Sequence, residues 1–211
     1  QDFLSLIGKL RYQQRWAKAV RVPQTFVMGH MLAVALLSYF MTLELDEPCR
    51  KRRVNNFFAG LFHDVPEALT RDIVSPIKKS VEGLGDILNE IENEQMREIV
   101  YPMLPKEWHP EIEYFTTDEF SSKIKLDGKI KTVTSDEINE KYNRDEYYPT
   151  DGQIIRCCDH LSAYIEAYMS LSYGIRSEQM VNGYNHLHEQ YRNKTVGGID
   201  FSIPFGYYDI V

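Results

Sequence analysis

What the chain has little of narrows its class before any motif is read. Cysteine is scarce: Cys49, Cys157 and Cys158 are the only three in 211 residues, an odd number without metal-type spacing. Neighbouring positions 157 and 158 on one helix point in different directions, so no disulfide framework is expected and a reducing, cytoplasmic home is. No apolar run approaches the roughly 18 residues of a membrane span. The most apolar stretch, residues 28–41, carries His30 and Ser38 and reads as a buried helix. Positive charge is in the minority, with 24 Lys and Arg against 31 Asp and Glu and a net charge of −7. A nucleic-acid polymer needs a broad basic face, so that partner is set aside. A small phosphorylated ligand needs only one metal ion and a few local cations. Gln1-Asp2-Phe3 shows no basic segment leading into an apolar core and a cleavage site, so no signal peptide is expected. No internal repeat or low-complexity segment is visible.

What is there is a helical pattern with one interruption. In residues 3–19, Phe3, Leu6, Ile7, Leu10 and Trp16 fall near helical spacing. They predict a first helix, made basic by Lys9, Arg11, Arg15 and Lys18 and closed by Pro23. Residues 28–45 are apolar on most faces and predict a central helix. Asp46-Glu47-Pro48 opens a third, with proline near the first turn; its basic start, Arg50 to Arg53, gives way to Phe57-Phe58-Ala59-Gly60-Leu61-Phe62. Residues 78–101 read as a surface helix burying Ile87, Leu88, Ile91 and Met96, weakened at its start by Gly83 and Gly85. A short helical piece is expected over residues 111–115. Alternation around Asp127-Gly128 predicts a hairpin, inside a segment, 116–150, that reads as an insertion. Residues 152–173, stopped by Gly174, and residues 178–191 predict two more helices. The aromatic tail from residue 195 is expected to pack in extended form. The expected fold class is all-α, one domain over residues 1–211, with a small β-hairpin near residues 120–135.

The apolar run of the third helix leads without a break into His63 and Asp64, followed by Pro66, Glu67 and Asp72. Imidazole and carboxylate beside such a segment are costly to bury unless paired or metal-bound. His30 in the second helix and Asp159 in the helix of residues 152–173 supply matching donors. Mixed nitrogen and oxygen ligands suit Mn, Fe, Co, Ni, Zn or Mg. Four such ligands on an octahedral ion leave room for water and a phosphate oxygen, and Glu67, one helical turn after His63, is spaced to act as general acid or base. The plainer alternatives stand beside this reading. His30 would then be a hydrogen-bonded core residue, Asp159 a partner of Arg156, and His-Asp a chance dipeptide.

The order His30, His63-Asp64, Asp159 resembles the H…HD…D signature of the HD-domain metal-dependent phosphohydrolases. Arg15-Trp16, His63-Asp64-x-x-Glu67-x-Leu69-Thr70-x-Asp72, Ser75-Pro76-Ile77-Lys78 and Asp159-x-Leu161-x-Ala163-Tyr164 together resemble its bacterial 5′-deoxynucleotidase branch. The resemblance covers residues 1–80 and 150–195. It implies an all-α HD-domain helical bundle, a homodimer, and hydrolysis of nucleoside or deoxynucleoside 5′-monophosphates with one divalent metal ion. By the same resemblance His30, His63, Asp64 and Asp159 are the metal ligands and Glu67 is the catalytic carboxylate. Arg15 holds the substrate phosphate, Trp16 lies against the sugar and disfavours a ribose 2′-hydroxyl, Asp72 faces the substrate as an acceptor, and Lys78 belongs to its surroundings. The chain departs from the branch at Met28-Gly29, where a Ser-Glu pair is usual, at Arg71, where a small residue is usual, and in the 116–150 insertion. Other readings of the same ligand set are an HD-type reaction on a cyclic nucleotide, a nucleoside triphosphate or an alarmone, and a non-catalytic metal or nucleotide sensor. Glu67 weighs against the sensor, because a pure binding site has little need of a base.

Overall fold

The computed structural model describes residues 2–17, 19–70 and 84–208. Helix α1 spans Asp2–Gly8 and tightens into a 3-10 turn over Lys9–Arg11. The helix expected through residue 19 stops there, a correction with a local cause. Trp16 takes a left-handed backbone, φ 57°, which a continuing right-handed helix does not admit. Residues 12–17 and 19–26 instead belong to a loop folded back on itself, with Arg15 N–H donating to Thr25 O at 2.9 Å and Val27 N–H to Gln13 O at 2.9 Å.

Helix α2 (Val27–Leu43) and helix α3 (Arg50–Phe62) form the central pair. They cross closely because Gly60 has no side chain: a Cβ there would lie 3.1 Å from both Ala35 Cα and Val34 O. Pro48 precedes α3 by two residues. Its first turn is satisfied from elsewhere, with Cys49 N–H donating to Asn143 Oδ1 at 2.9 Å and Lys51 N–H to Asp145 Oδ1 at 2.7 Å. After a turn comes the single-turn helix α4 (Glu67–Thr70), then α5 (Leu84–Gln95), which runs on as a π turn over Met96–Val100. Leu88 and Met96 are buried as expected, but Ile87 and Ile91 are exposed, so the inward face is narrower than the apolar pattern predicts. Helix α6 covers His109–Thr116.

Strands β1 (Lys123–Leu126) and β2 (Lys129–Thr132) pair antiparallel, Leu126 opposite Lys129. The turn between them is Asp127 (φ 51°) and Gly128 (φ 73°), the double left-handed geometry for which Asp-Gly is suited. Helix α7 (Gly152–Ser172) is the long inner helix, and α8 (Glu178–Tyr191) packs on it. The tail departs from the extended expectation: β3 (Thr195–Val196) and β4 (Ile199–Asp200) make a small hairpin, and helix α9 (Ser202–Gly206) follows. Phe201 and Phe205 are buried there, with Phe205 stacked on Tyr191 at 4.1 Å between ring centres.

The main core lies between α2, α3, α7 and α8, built on Val34, Ala59, Ile155, Cys158, Leu161 and Tyr184. A buried polar network pins α3 to the start of α7. Arg52, fully buried, donates twice to Asp151, at 2.7 and 2.8 Å, and Asn56 exchanges hydrogen bonds with the same residue. Gly152 follows at once, and a Cβ there would sit 2.3 Å from the carbonyl carbon of Phe120. The absent side chain lets the 118–122 loop close on α7. All three cysteines are free, and no described helix is long and apolar enough to cross a membrane.

Candidate metal centre

Three helices aim side chains at one point. His30 comes from α2, His63 caps the C-terminus of α3, and Asp159 lies about two turns into α7. One ligand atom from each lies within 4.8 Å of the others. His30 Nε2 is 3.0 Å from Asp159 Oδ1, His63 Nε2 is 3.2 Å from Asp64 Oδ1, and His30 Nε2 is 3.7 Å from Asp64 Oδ2. Both imidazoles are almost fully buried. Three of the four expected ligands, His30, His63 and Asp159, form this group, and Asp64 lies beside it on the His30 and His63 side.

The outer nitrogens fix how the rings face. His63 Nδ1 donates to Gly60 O at 2.8 Å, and His30 Nδ1 is 3.0 Å from Ser162 Oγ. A proton on His63 Nδ1 leaves Nε2 with its lone pair, the form a metal takes. The Nε2 atoms of His30 and His63 are both buried, and neither has a hydrogen-bond partner among the described residues, although each lies near a carboxylate. Orphaned imidazole nitrogens are costly, and two of them converging with carboxylates fit a divalent ion. Burial alone would raise the Asp159 carboxyl. The close contact with His30, the charges of His30 and His63 when protonated, and the charge of Arg15 outweigh that, and hold it below the usual carboxylate range.

Of the remaining expected residues, Arg15, Trp16 and Glu67 fall among the described ones. Arg15 stands at the edge, with Nη1 3.7 Å from Asp64 Oδ2. Trp16 is beside it, its ring packed on Gly183, where a Cβ would approach the indole at 3.2 Å. Glu67 opens α4, half-buried, one turn beyond His63. Asp72 and Lys78, with Arg71, lie outside the described residues.

Sequence reasoning missed two carboxylates. Glu166 on α7 accepts from Trp16 Nε1 at 2.6 Å and from Arg15 Nε at 3.3 Å. It and Ser162 fall on the same face of α7 as Asp159, spaced by three and seven residues, and that spacing is the signal that could have found them. Glu119, from the start of the insertion, is pushed up by burial while the charge of His63 pulls the other way. Next to it, Phe120 stands 6.1 Å from the His63 ring. The insertion therefore borders the site. On the other side of His30, a groove of about 720 Å³ runs between α2 and α7, lined by Met28, Gly29, Arg21 and Glu166 among others. The Met28-Gly29 departure lies in this wall, where a Cβ on Gly29 would meet no atom of the described residues within 4 Å.

Comparison with known proteins agrees with this fold. A family described as an HD domain matches residues 7–188. A 4′-phosphooxetanocin A phosphatase from Priestia megaterium is 30% identical over 107 residues, 49% of this chain and 54% of that protein. The match therefore spans about half the length of that relative. The crystal structure of an HD-domain phosphohydrolase from Listeria innocua shares the fold with a TM-score of 0.67 at 15% identity, covering 99% of this chain and 86% of that one.

Proposed function

The chain belongs to the HD-domain family, and from that premise we propose that it is a divalent-metal-dependent phosphohydrolase, releasing phosphate from nucleoside or deoxynucleoside 5′-monophosphates. One observation carries the reading: the buried Nε2 atoms of His30 and His63 have no hydrogen-bond partner among the described residues and converge with Asp159. In this reading His30, His63, Asp64 and Asp159 hold one ion, and the donor set admits Mn, Co, Fe, Ni, Zn or Mg. Such an ion supplies Lewis-acid activation of water and neutralises phosphoryl charge.

The chain's own groups do the rest. Gly60 O and Ser162 Oγ orient the two imidazoles. Arg15, a fork that matches phosphate oxygens, holds the phosphate from beside Asp64. Glu67 takes the proton from the attacking water. Trp16 borders the sugar, and Asp72 and Lys78 complete the substrate edge. The reading takes residues 1–211 as one HD domain with an insertion at 116–150, acting as a homodimer. The relative's name supports a phosphatase, and the motif match supports nucleotides as substrates.

Protein loaded with Mn or Co should release phosphate from deoxynucleoside monophosphates. No turnover on a broad phosphomonoester panel, with metal confirmed bound, would sink the reading. Pyrophosphate or a ring-opened monophosphate as product would move it to another HD-type reaction.

A further inference from the structure

Glu166 is a buried carboxylate, 6% exposed, that no metal-binding role requires. A charge in that setting must be matched; Oε1 lies 3.9 Å from His30 Nδ1, and the hydrogen-bond partners are two consecutive residues of the loop that carries the phosphate-binding arginine. Its Oε2 accepts both the Trp16 indole N–H at 2.6 Å and the Arg15 Nε at 3.3 Å. Neighbouring side chains of an extended segment diverge, so one carboxylate reaches both only if the backbone between them bends sharply. Trp16 supplies the bend with its φ of 57°, a conformation that is unfavourable for a bulky residue unless its surroundings hold it. The Trp16 ring rests on Gly183, where there is no side chain to displace it. The same acid therefore anchors the loop, fixes the indole and takes the Nε edge of the guanidinium.

With that edge taken, the guanidinium is turned so that Nη1 points at Asp64, 3.7 Å from its Oδ2. Glu166 sits two helical turns after Asp159 on α7, and Ser162 between them contacts His30 Nδ1. One helix face thus carries a metal-site carboxylate, the contact of a metal-site imidazole and the anchor of the arginine. We infer that Glu166 is a positioning residue that sets where the substrate phosphate is held relative to the metal ligands, acting through Arg15 and Trp16. The inference rests on the proposed role of Arg15 as the phosphate holder.

The test uses the full chain loaded with Mn and inorganic phosphate as the probe. Phosphate affinity by calorimetry, bound metal per chain, and kcat and KM are measured for Glu166→Gln and Glu166→Ala, each with and without Arg15→Ala. Trp16 emission is read in a Trp108→Phe background, where it is the sole tryptophan of the two. Glu166→Ala should weaken phosphate binding roughly tenfold, a size in the range of couplings between contacting residues. KM should rise more than kcat falls, metal content should hold, and Trp16 emission should shift to the red. Glu166→Gln, which keeps an acceptor for the indole, should recover part of the loss. In the Arg15→Ala background neither change should matter further. Equal losses with and without Arg15, or unchanged phosphate affinity in folded Glu166→Ala, overturn the inference. Where Glu166→Ala does not fold, the dependence of the Glu166→Gln loss on Arg15 decides alone. Wild type that binds phosphate but hydrolyses nothing sinks the proposed reaction and leaves this test readable; wild type that binds no phosphate overturns both.

Discussion

Removal of one imidazole and removal of one carboxylate should separate holding the ion from using it. His63→Ala should lose both metal and turnover, whereas Glu67→Ala should keep its metal and lose about 10²- to 10⁴-fold in rate, the usual contribution of a general base. Metal analysis beside phosphate release distinguishes them, and loss of metal in the Glu67 variant would show it to be a ligand instead. A second residue-scale outcome concerns Lys123, whose ammonium donates to Thr117 O at 2.6 Å. Burial pushes it down to about 8, against the pull of Glu119 and Asp118. An unfolded lysine titrates near 10.4, so between the two values the unfolded chain binds the extra proton and stability rises with pH. The penalty is full below the folded value and fades above it. Denaturant midpoints taken across that window should climb more in wild type than in Lys123→Met. Side chains of this kind differ in how far sequence reveals them. His63-Asp64 stand out because they interrupt an apolar run, and His30 and Asp159 follow from the resemblance. Glu166 lies 150 and 151 residues from its partners, and its one mark in the chain is its place two turns after Asp159 on the same helix face.

Helices hold their places here through polar contacts that periodicity does not show. Arg52 reads in the sequence as one of four residues in a basic helix start, yet it is fully buried against Asp151, 99 positions later. Arg52→Ala leaves the Asp151 charge buried without its cation and should cost about 3–5 kcal/mol, measured by urea unfolding. A cost under about 1 kcal/mol, the range of an exposed pair, would show that the network does not pin α3 to α7. The β1–β2 hairpin was legible because Asp127-Gly128 carries its own backbone geometry. The first helix was not, because the spacing of Leu6, Leu10 and Trp16 continues across a loop whose bend is set by Glu166 and Gly183. Ile87 and Ile91 mislead in the opposite sense: an apolar pattern marks a face able to be buried, not one that is.

For the whole molecule, an ion that binds only the folded chain stabilises it by mass action. At about a hundred times its dissociation constant the gain is about 2.7 kcal/mol. Wild-type Tm should therefore rise with Mn and fall with chelator, and the His63→Ala variant should respond to neither. An equal response in the variant would place the ion elsewhere. The family fold was legible as a sum of helices and motifs, while the course of residues 143–151 was not, since its anchors are all distant in sequence. That segment lies along α3: Asn143 and Asp145 hold the amides of Cys49 and Lys51, the carbonyls of Tyr148 and Pro149 accept from Asn55, and Asp151 takes Arg52 and Asn56. At the far end of the same helix, Phe120 and Glu119 from the insertion meet His63. The segment that reads as an interruption is thus a splint on the helix that delivers the histidine. First-turn amides usually exchange with solvent almost at will, since no carbonyl of their own helix reaches them. Those of Cys49 and Lys51 are tied to the splint, so their hydrogen-exchange rates become a gauge, read far from the histidine, of whether it is in place.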